Sequence, residues 1–450
     1  MSITNDNLSR SMRYSLMNST AVEANSMLAR YSSVNGSTYS PNGSNEILIK
    51  VKANGFLEGS KHYLSFRVTN AAAASFVDTH AGSFFDRVTI SCQGSIVEQI
   101  QSYGLYNAIR NTYNTPLHKI FSNAVGSGSS QLAIKETAVA GTVRPAQSGA
   151  LGEGFTIGHS KVFCIQLESG LLKNHLNKAL PDGCQELDIT LRLAGNNQAQ
   201  VGVTATEPTY TISDVSLYAP VYQILNGDVM ASYRAVVAKE GVMWSGDSAK
   251  TYINSMSLGA GTKTLQINDR SLSCKGMVTA FRDEGVDNVI DKYANGSYGF
   301  TDGTGSITSY IYRFGSENKP AQDVNINTAV NGENFGRVHE ETLKALAKHG
   351  EMYAEGTVDR FQLRGSILGI YTSATNSNSL DVPKGLVSVD LKKCTGDGLK
   401  MVGMNTAQSS SPNVLEVTHT ALHGALSATT FAIVEAFFSM DAQGTLSSVM

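Results

Sequence analysis

Asp78, His80 and Ser83 bring the three side-chain types of a hydrolytic triad into one short stretch. In such a triad an acid orients an imidazole that takes the proton of a hydroxyl nucleophile, and its members normally converge from distant segments. No GxSxG elbow accompanies the serine, so local structural roles are expected instead. His339-Glu340-Glu341-Thr342-Leu343 opens like a zinc-protease helix, but Leu343 stands where a second imidazole must reach the metal. Gly259-Ala260-Gly261-Thr262-Lys263-Thr264 has the residue types of a phosphate loop without its spacing, which reads as a hairpin turn. The acidic run Asp283, Glu284, Asp287 and Asp291 lacks the glycine and ligand spacing of a calcium loop and reads as a solvated face. No catalytic residue, metal ligand or cofactor site is expected from these groups, which turns attention to binding and assembly.

The cysteines point the same way. Cys92, Cys164, Cys184, Cys274 and Cys394 are odd in number and widely spaced, with no CxxC pair. That pattern fits reduced thiols rather than a disulfide framework. The start of the chain lacks a basic, apolar signal segment, so synthesis in a reducing cytoplasm or nucleus is expected. The formal net charge of -3 argues against sequence-independent nucleic-acid binding by the whole body. Trp244 is the only tryptophan and has no aromatic partners nearby in sequence, so it is expected to anchor a core rather than to stack on sugars or bases.

The elements that position these residues are mostly strands. With 16 % charged residues, 42 glycines and 9 prolines in 450 residues, the composition is that of packed chain with many turns. From Glu46 the apolar period is two: Ile47, Ile49 and Val51 alternate with polar positions, as do Leu187, Ile189, Leu191 and Leu193. The inward phase slips between Ile212 and Val215, which predicts a bulge near Ser213 and Asp214. Further strands are expected at Val278 to Phe281, Tyr310 to Phe314, Phe361 to Leu363, Ile367 to Tyr371, Val387 to Leu391 and Phe431 to Met440. Each half carries one helical segment after a strand, Ser102 to Tyr113 and Arg337 to His349.

The chain therefore reads as one β-sandwich plan used twice. Residues 1–45 are expected to form an extended arm, 46–222 a first sandwich, 223–240 a linker with Asp228 as helix N-cap, and 241–450 a second sandwich. In the arm, Leu8, Met12 and Leu16 fall at helical spacing, accompanied by Arg10 and Arg13. Such a stripe suits a groove on a neighbour, and the arginines suit lipid or nucleic-acid phosphates. The Gly-, Ser- and Ala-rich stretch from Asn114 to His159 is far longer than an ordinary connection and is expected on an outer surface.

Three segments carry a family resemblance. SFFDRVTISCQGSIVEQIQSYGLYNAIRN (Ser83 to Asn111) resembles the first-domain core of double jelly-roll major capsid proteins, especially those of polinton-like viruses and virophages. KVFCIQLESGLL, a Leu-Pro pair and LDITLRLA, between Lys161 and Ala194, are similar to the later first-domain strands. SYIYRFGSENKPAQDVNI (Ser309 to Ile326) is similar to the second-domain stretch in which a strand runs through a glycine to a proline. The resemblance covers about residues 45–440.

What it implies is an all-β chain of two tandem eight-stranded jelly rolls with short helices in loops. It implies no enzyme but a homotrimeric, pseudo-hexagonal capsomer tiling an icosahedral shell around a DNA genome, assembled in the host cytoplasm or nucleus. Partners would be the chain itself, neighbouring capsomers, penton and minor capsid proteins, with membrane or genome contact through the arm. The alternative is a glycan-binding double β-sandwich of lectin or fibre type, since a fold does not dictate function.

Overall fold

The computed structural model describes residues 23–72, 75–77, 80–114, 154–155, 158–174, 178–202, 207–257, 259–283, 307–326, 335–347, 385–393, 402–408, 412–420 and 426–450. The first half is built on β1 (Ala24–Ser32), β2 (Glu46–Val51), β3 (Tyr63–Asn70), β4 (Phe85–Cys92), β5 (Ser95–Gln101), β6 (Ser160–Ile165), β7 (Leu187–Leu193) and β8 (Tyr210–Ile224). Their sheets run β1-β8-β3-β6 and β2-β7-β4-β5. The second half is built on β9 (Val242–Met256), β10 (Gly261–Ile267), β11 (Cys274–Asp283), β12 (Ile307–Phe314), β13 (Glu317–Asn325), β14 (Val387–Asp390), β15 (Asn413–His419) and β16 (Leu426–Met440). Here the orders are β9-β16-β11-β14 and β10-β15-β12-β13, the same wiring strand for strand. Each half is thus an antiparallel jelly roll. Helices repeat the correspondence, since α1 (Tyr103–Asn114) follows the fifth strand of one roll and α3 (Phe335–Leu346) the fifth strand of the other, while α2 (Gly227–Glu240) links the two rolls.

Alternation decides which face goes inward. Leu187, Ile189, Leu191 and Leu193 of β7 are buried while Arg192 is exposed, and Leu64, Phe66 and Val68 of β3 meet them from the opposite sheet side of the core. Phe66 stands edge-on to Phe84 and Phe85, with centroids 6.1 and 5.1 Å away. In β8 the pairing with β3 jumps between Ser213 and Ser216, with Asp214 at φ 54, and the buried set changes from Tyr210 and Ile212 to Val215 and Leu217. The bulge lies where the phase slip placed it. β16 is almost wholly buried because its two faces serve different cores. Ala432 and Val434 face their own jelly roll, whereas Phe431 and Ile433 join an apolar cluster shared with the first.

Several expectations need correction. Within the stretch 1–45 expected as an arm, β1 pairs with β8 over nine positions, Ala24 opposite Ile224 through Ser32 opposite Ser216, and Thr38–Tyr39 pair with β8 as well. The linker helix is capped by Asn226, whose side chain accepts from the N–H groups of Asp228 and Val229. Gly259 to Thr264 is not a hairpin turn: Gly261 to Thr264 already belong to β10, which pairs with β15, whereas the preceding strand, β9, pairs with β16 in another sheet. The segments Phe361 to Leu363, Ile367 to Tyr371 and most of Asn114 to His159 lie outside the described residues.

Candidate functional site

His80 and Ser83 turn out to be structural. His80 is buried and accepts from the N–H of Gly82 at 3.0 Å, capping a short turn of helix, while the Ser83 hydroxyl donates to the carbonyl of Ala199 at 3.1 Å. Asp78 lies outside the described residues, as do Leu8, Arg10, Met12, Arg13 and Leu16. His339 sits half-buried on α3, its ring 6.4 Å from that of Tyr113 on α1. Among the described residues no three His, Cys, Asp or Glu side chains cluster.

The feature with the most built-in specificity is the seam between the jelly rolls. Its middle is a backbone-on-backbone contact: a Cβ on Gly246 would lie 2.0 Å from the carbonyl oxygen of Gly170, and one on Gly170 would lie 2.7 Å from that of Asp247. Only glycine lets the two chains approach this closely. A second contact of the same kind lies at the end of the chain, where a Cβ on Gly444 would meet the Gly183 carbonyl oxygen at 2.0 Å. Hydrogen bonds cross the seam around these points. Thr251 Oγ1 donates to the Gln101 carbonyl at 2.9 Å, Ser448 Oγ to the Val97 carbonyl at 2.6 Å, and the Gln185 N–H to the Gly444 carbonyl at 2.9 Å. Apolar packing completes it: Tyr106 of the first roll lies 5.5 Å from Phe431 of the second, ring to ring. Trp244, expected to anchor the start of the second core, packs against Phe438 within this shared cluster.

Buried charges hold the seam's loops. Glu98, on β5, accepts from the Ser169 hydroxyl, from the Gly170 N–H at 2.8 Å and from the Leu171 N–H at 3.3 Å, which fixes the loop carrying Gly170. Burial pushes its pKa up. On the other side, fully buried Lys275 donates to both carboxylate oxygens of Asp247, at 2.8 and 3.0 Å. His62 is buried in the first roll, where its Nδ1 hydrogen-bonds the Gly59 carbonyl and its Nε2 accepts from the Leu167 N–H at 2.9 Å. That pairing needs the neutral ring, and burial pushes the pKa of both His62 and His80 down to about 4.

Several large apolar side chains are exposed on the outer surface. Met27 and Leu28 on β1 are 50 % and 56 % exposed, Met243 at the start of β9 is 66 % and Ile253 further along it is 59 %. Where β8 hands over to α2, a cleft of about 860 Å³ opens beside Phe56, Cys184, Ile224, Met230 and Tyr233, with Met440 and Gly444 of the second roll at its far wall. Phe56 and Tyr233 pack edge to face there at 5.0 Å.

No protein-family model matches the sequence, and neither does any curated protein. Solved structures do match its fold. A chain of the quasi-atomic model of the PBCV-1 virus capsid superposes with a TM-score of 0.59 at 9 % identity, covering 97 % of this chain and 99 % of that one. A chain of the cryo-EM structure of the Sputnik virophage gives 0.58 at 11 % identity, with 98 % and 92 % coverage. The mavirus major capsid protein gives 0.54 at 10 % identity, with 99 % and 93 % coverage. The likeness spans both jelly rolls, and it establishes the double jelly-roll fold.

Proposed function

We propose that this chain is the major capsid protein of an icosahedral DNA virus, working as a structural subunit of the shell. The observation that carries the reading is the pair of identically wired jelly rolls locked by a glycine-to-glycine seam into one body. A subunit with two equivalent barrels gives six similar barrels in a trimer, so a homotrimeric, pseudo-hexagonal capsomer can close-pack on a surface. Apolar side chains left open on β1 and β9 support burial between subunits.

In this reading the location is the virion, with assembly in the host cytoplasm or nucleus, and the partners are neighbouring capsomers, penton proteins and minor capsid proteins. Leu8, Arg10, Met12, Arg13 and Leu16 then act at the inner surface, towards other capsomers, an internal membrane or the genome. The fold likeness to virophage and PBCV-1 capsid chains supports the capsid role. Light scattering after size exclusion is expected to return three chains per particle, and negative-stain microscopy to show hexagonal outlines. A stable monomer at micromolar concentration overturns the proposal, because interfaces of permanent assemblies bury about 2,000 to 5,000 Å² and do not dissociate there.

A further inference from the structure

We infer that the cleft between the end of β8 and α2 is the docking site of this chain's own N-terminal segment, residues 8–16, anchored by Leu8, Met12 and Leu16. The inference rests on the inner-surface role proposed for those residues and divides it: the three apolar side chains dock on their own subunit, leaving the arginines for partners beyond it.

Its first support is where the chain comes in. The Leu225 N–H donates to the carbonyl of Glu23 at 2.9 Å and Ala24 pairs with Ile224, and Ile224 and Leu225 are themselves walls of the cleft. The 22 residues before Glu23 are therefore tethered at its rim. Seven steps separate Leu16 from Glu23, a reach of up to about 25 Å, whereas a helix from Leu8 to Leu16 is only about 12 Å long. A tether this short gives the segment an effective concentration on the order of millimolar at the cleft, which another copy would have to exceed.

Its second support is the match of chemistry. Leu8, Met12 and Leu16 recur every fourth residue, the spacing of a helix that lays one stripe into a groove. The cleft offers Phe56, Met230 and Tyr233 to such a stripe. At helical spacing Arg10 falls opposite the stripe and Arg13 on its flank, so docking would leave Arg10 outward, towards phosphates beyond the subunit, and Arg13 at the rim. The helix is too short to be stable without a partner, so it forms only when docked. In the cleft wall Arg234 is already engaged, its Nη2 3.4 Å from Asp182, and no ion pair with the segment is needed.

Cys184 lies in the cleft and makes the test direct. The full chain carrying Met12→Cys, with exposed Cys164 changed to Ser, is oxidised with diamide as dilute subunits and mapped by mass spectrometry. A bond between positions 12 and 184 within one chain is expected, with a yield at least about tenfold above that of an Arg10→Cys chain, whose thiol faces outward. Ala238→Arg, at an exposed position of α2 lining the cleft, is expected to abolish the bond. Should that variant fail to fold, Leu8→Asp with Leu16→Asp in the Met12→Cys chain removes the anchors without touching either jelly roll. Equal yields from positions 10 and 12, no bond, or a bond only between chains overturns the inference. Light scattering and microscopy on the same samples keep the two ideas apart: trimers without the bond sink the docking alone, and a bonded chain that stays monomeric sinks the capsid reading alone.

Discussion

The two jelly rolls share every strand position but differ in where their aromatic rings and buried carboxylates lie. In the first, Phe66, Phe84, Phe85, Phe163 and Tyr210 form an aromatic nest, and its buried polar groups include the neutral imidazoles of His62 and His80 and the carboxyl of Glu98. In the second, Asp269 accepts hydroxyl hydrogen bonds from Tyr252 at 3.0 Å, Ser271 at 2.7 Å and Thr406 at 2.6 Å. Nearby, Glu435 accepts from the Ser273 hydroxyl at 2.6 Å and the Val402 N–H at 2.8 Å. These carboxylates stitch the segments around residues 269–275 and 402–406 to the sheet. The same wiring thus encloses an aromatic nest in one half and, in the other, an apolar core edged by the buried carboxylate networks of Asp269 and Glu435. What both halves obey is the alternation of buried positions, and the seam depends on both.

A break at the seam has the largest expected effect. Gly246→Val puts a branched side chain where the Gly170 carbonyl stands 2.0 Å from a Cβ position, so no soluble, two-roll subunit should be recovered. Gly94→Ala is the matched control: it also removes a glycine, at φ 80, but meets nothing within 4 Å, and should cost only about 1–2 kcal/mol by chemical denaturation. Soluble, native-like Gly246→Val protein would mean that the rolls are hinged rather than locked.

The next experiment separates the two kinds of core. Phe66→Ala in the aromatic nest should cost about 3–5 kcal/mol through the cavity it leaves. Lys275→Met should cost a similar ~3–5 kcal/mol, because it strands the buried Asp247 carboxylate. The difference shows on adding a second change: Lys275→Met with Asp247→Leu should recover most of the loss, whereas no partner substitution rescues the missing ring. A double variant as unstable as Lys275→Met alone would contradict the contrast between the halves.

Acid should sharpen it further. His62 and His80 titrate near 4 in the folded chain against about 6.5 unfolded, so the unfolded state binds protons first as pH falls. Their contribution is intact above about 6.5 and is lost between there and about 4, on the order of 3 kcal/mol each at most. Glu98, with its raised pKa, works in the opposite direction by favouring the protonated fold. Amide exchange at pH 5 against pH 7.5 should therefore show β3 losing protection before β12, and equal loss would remove the distinction. The smallest effect is chemical: iodoacetamide on the native protein should label exposed Cys164 first and leave Cys92 and Cys274 unmodified, and no disulfide should appear among the four described cysteines.

Much of the fold was legible because a half-buried strand writes its geometry into every second residue. LDITLRL and the phase slip at Ser213 and Asp214 are that signal. β1 escaped it because ANSMLARYS is an edge strand exposed along most of its length, held by backbone pairing to β8 rather than by an apolar face. Gly170 and Gly246 were illegible for a different reason: nothing local distinguishes a glycine needed for a contact 76 positions away from one that merely turns the chain. Asn226 and Asp228 are both good caps, and only the geometry of the turn chooses between them. Lys275 sits in a strand buried on both faces, where a lysine is unexpected, and its burial becomes intelligible only once Asp247 is seen opposite it.

The pairing of β9 with β16 is continuous for fifteen residues, from Val242 opposite Met440 to Met256 opposite Leu426. At about 3.4 Å per residue the ladder is roughly 50 Å long. Its hydrogen bonds lie across the strand direction, so a pull along the strands loads all of them in shear at once, whereas a pull across the sheet would open them one by one. If the rolls stand upright in a wall, this ladder acts as a strut through its thickness: stiff against stretching along its length, and most easily failed by peeling from an end.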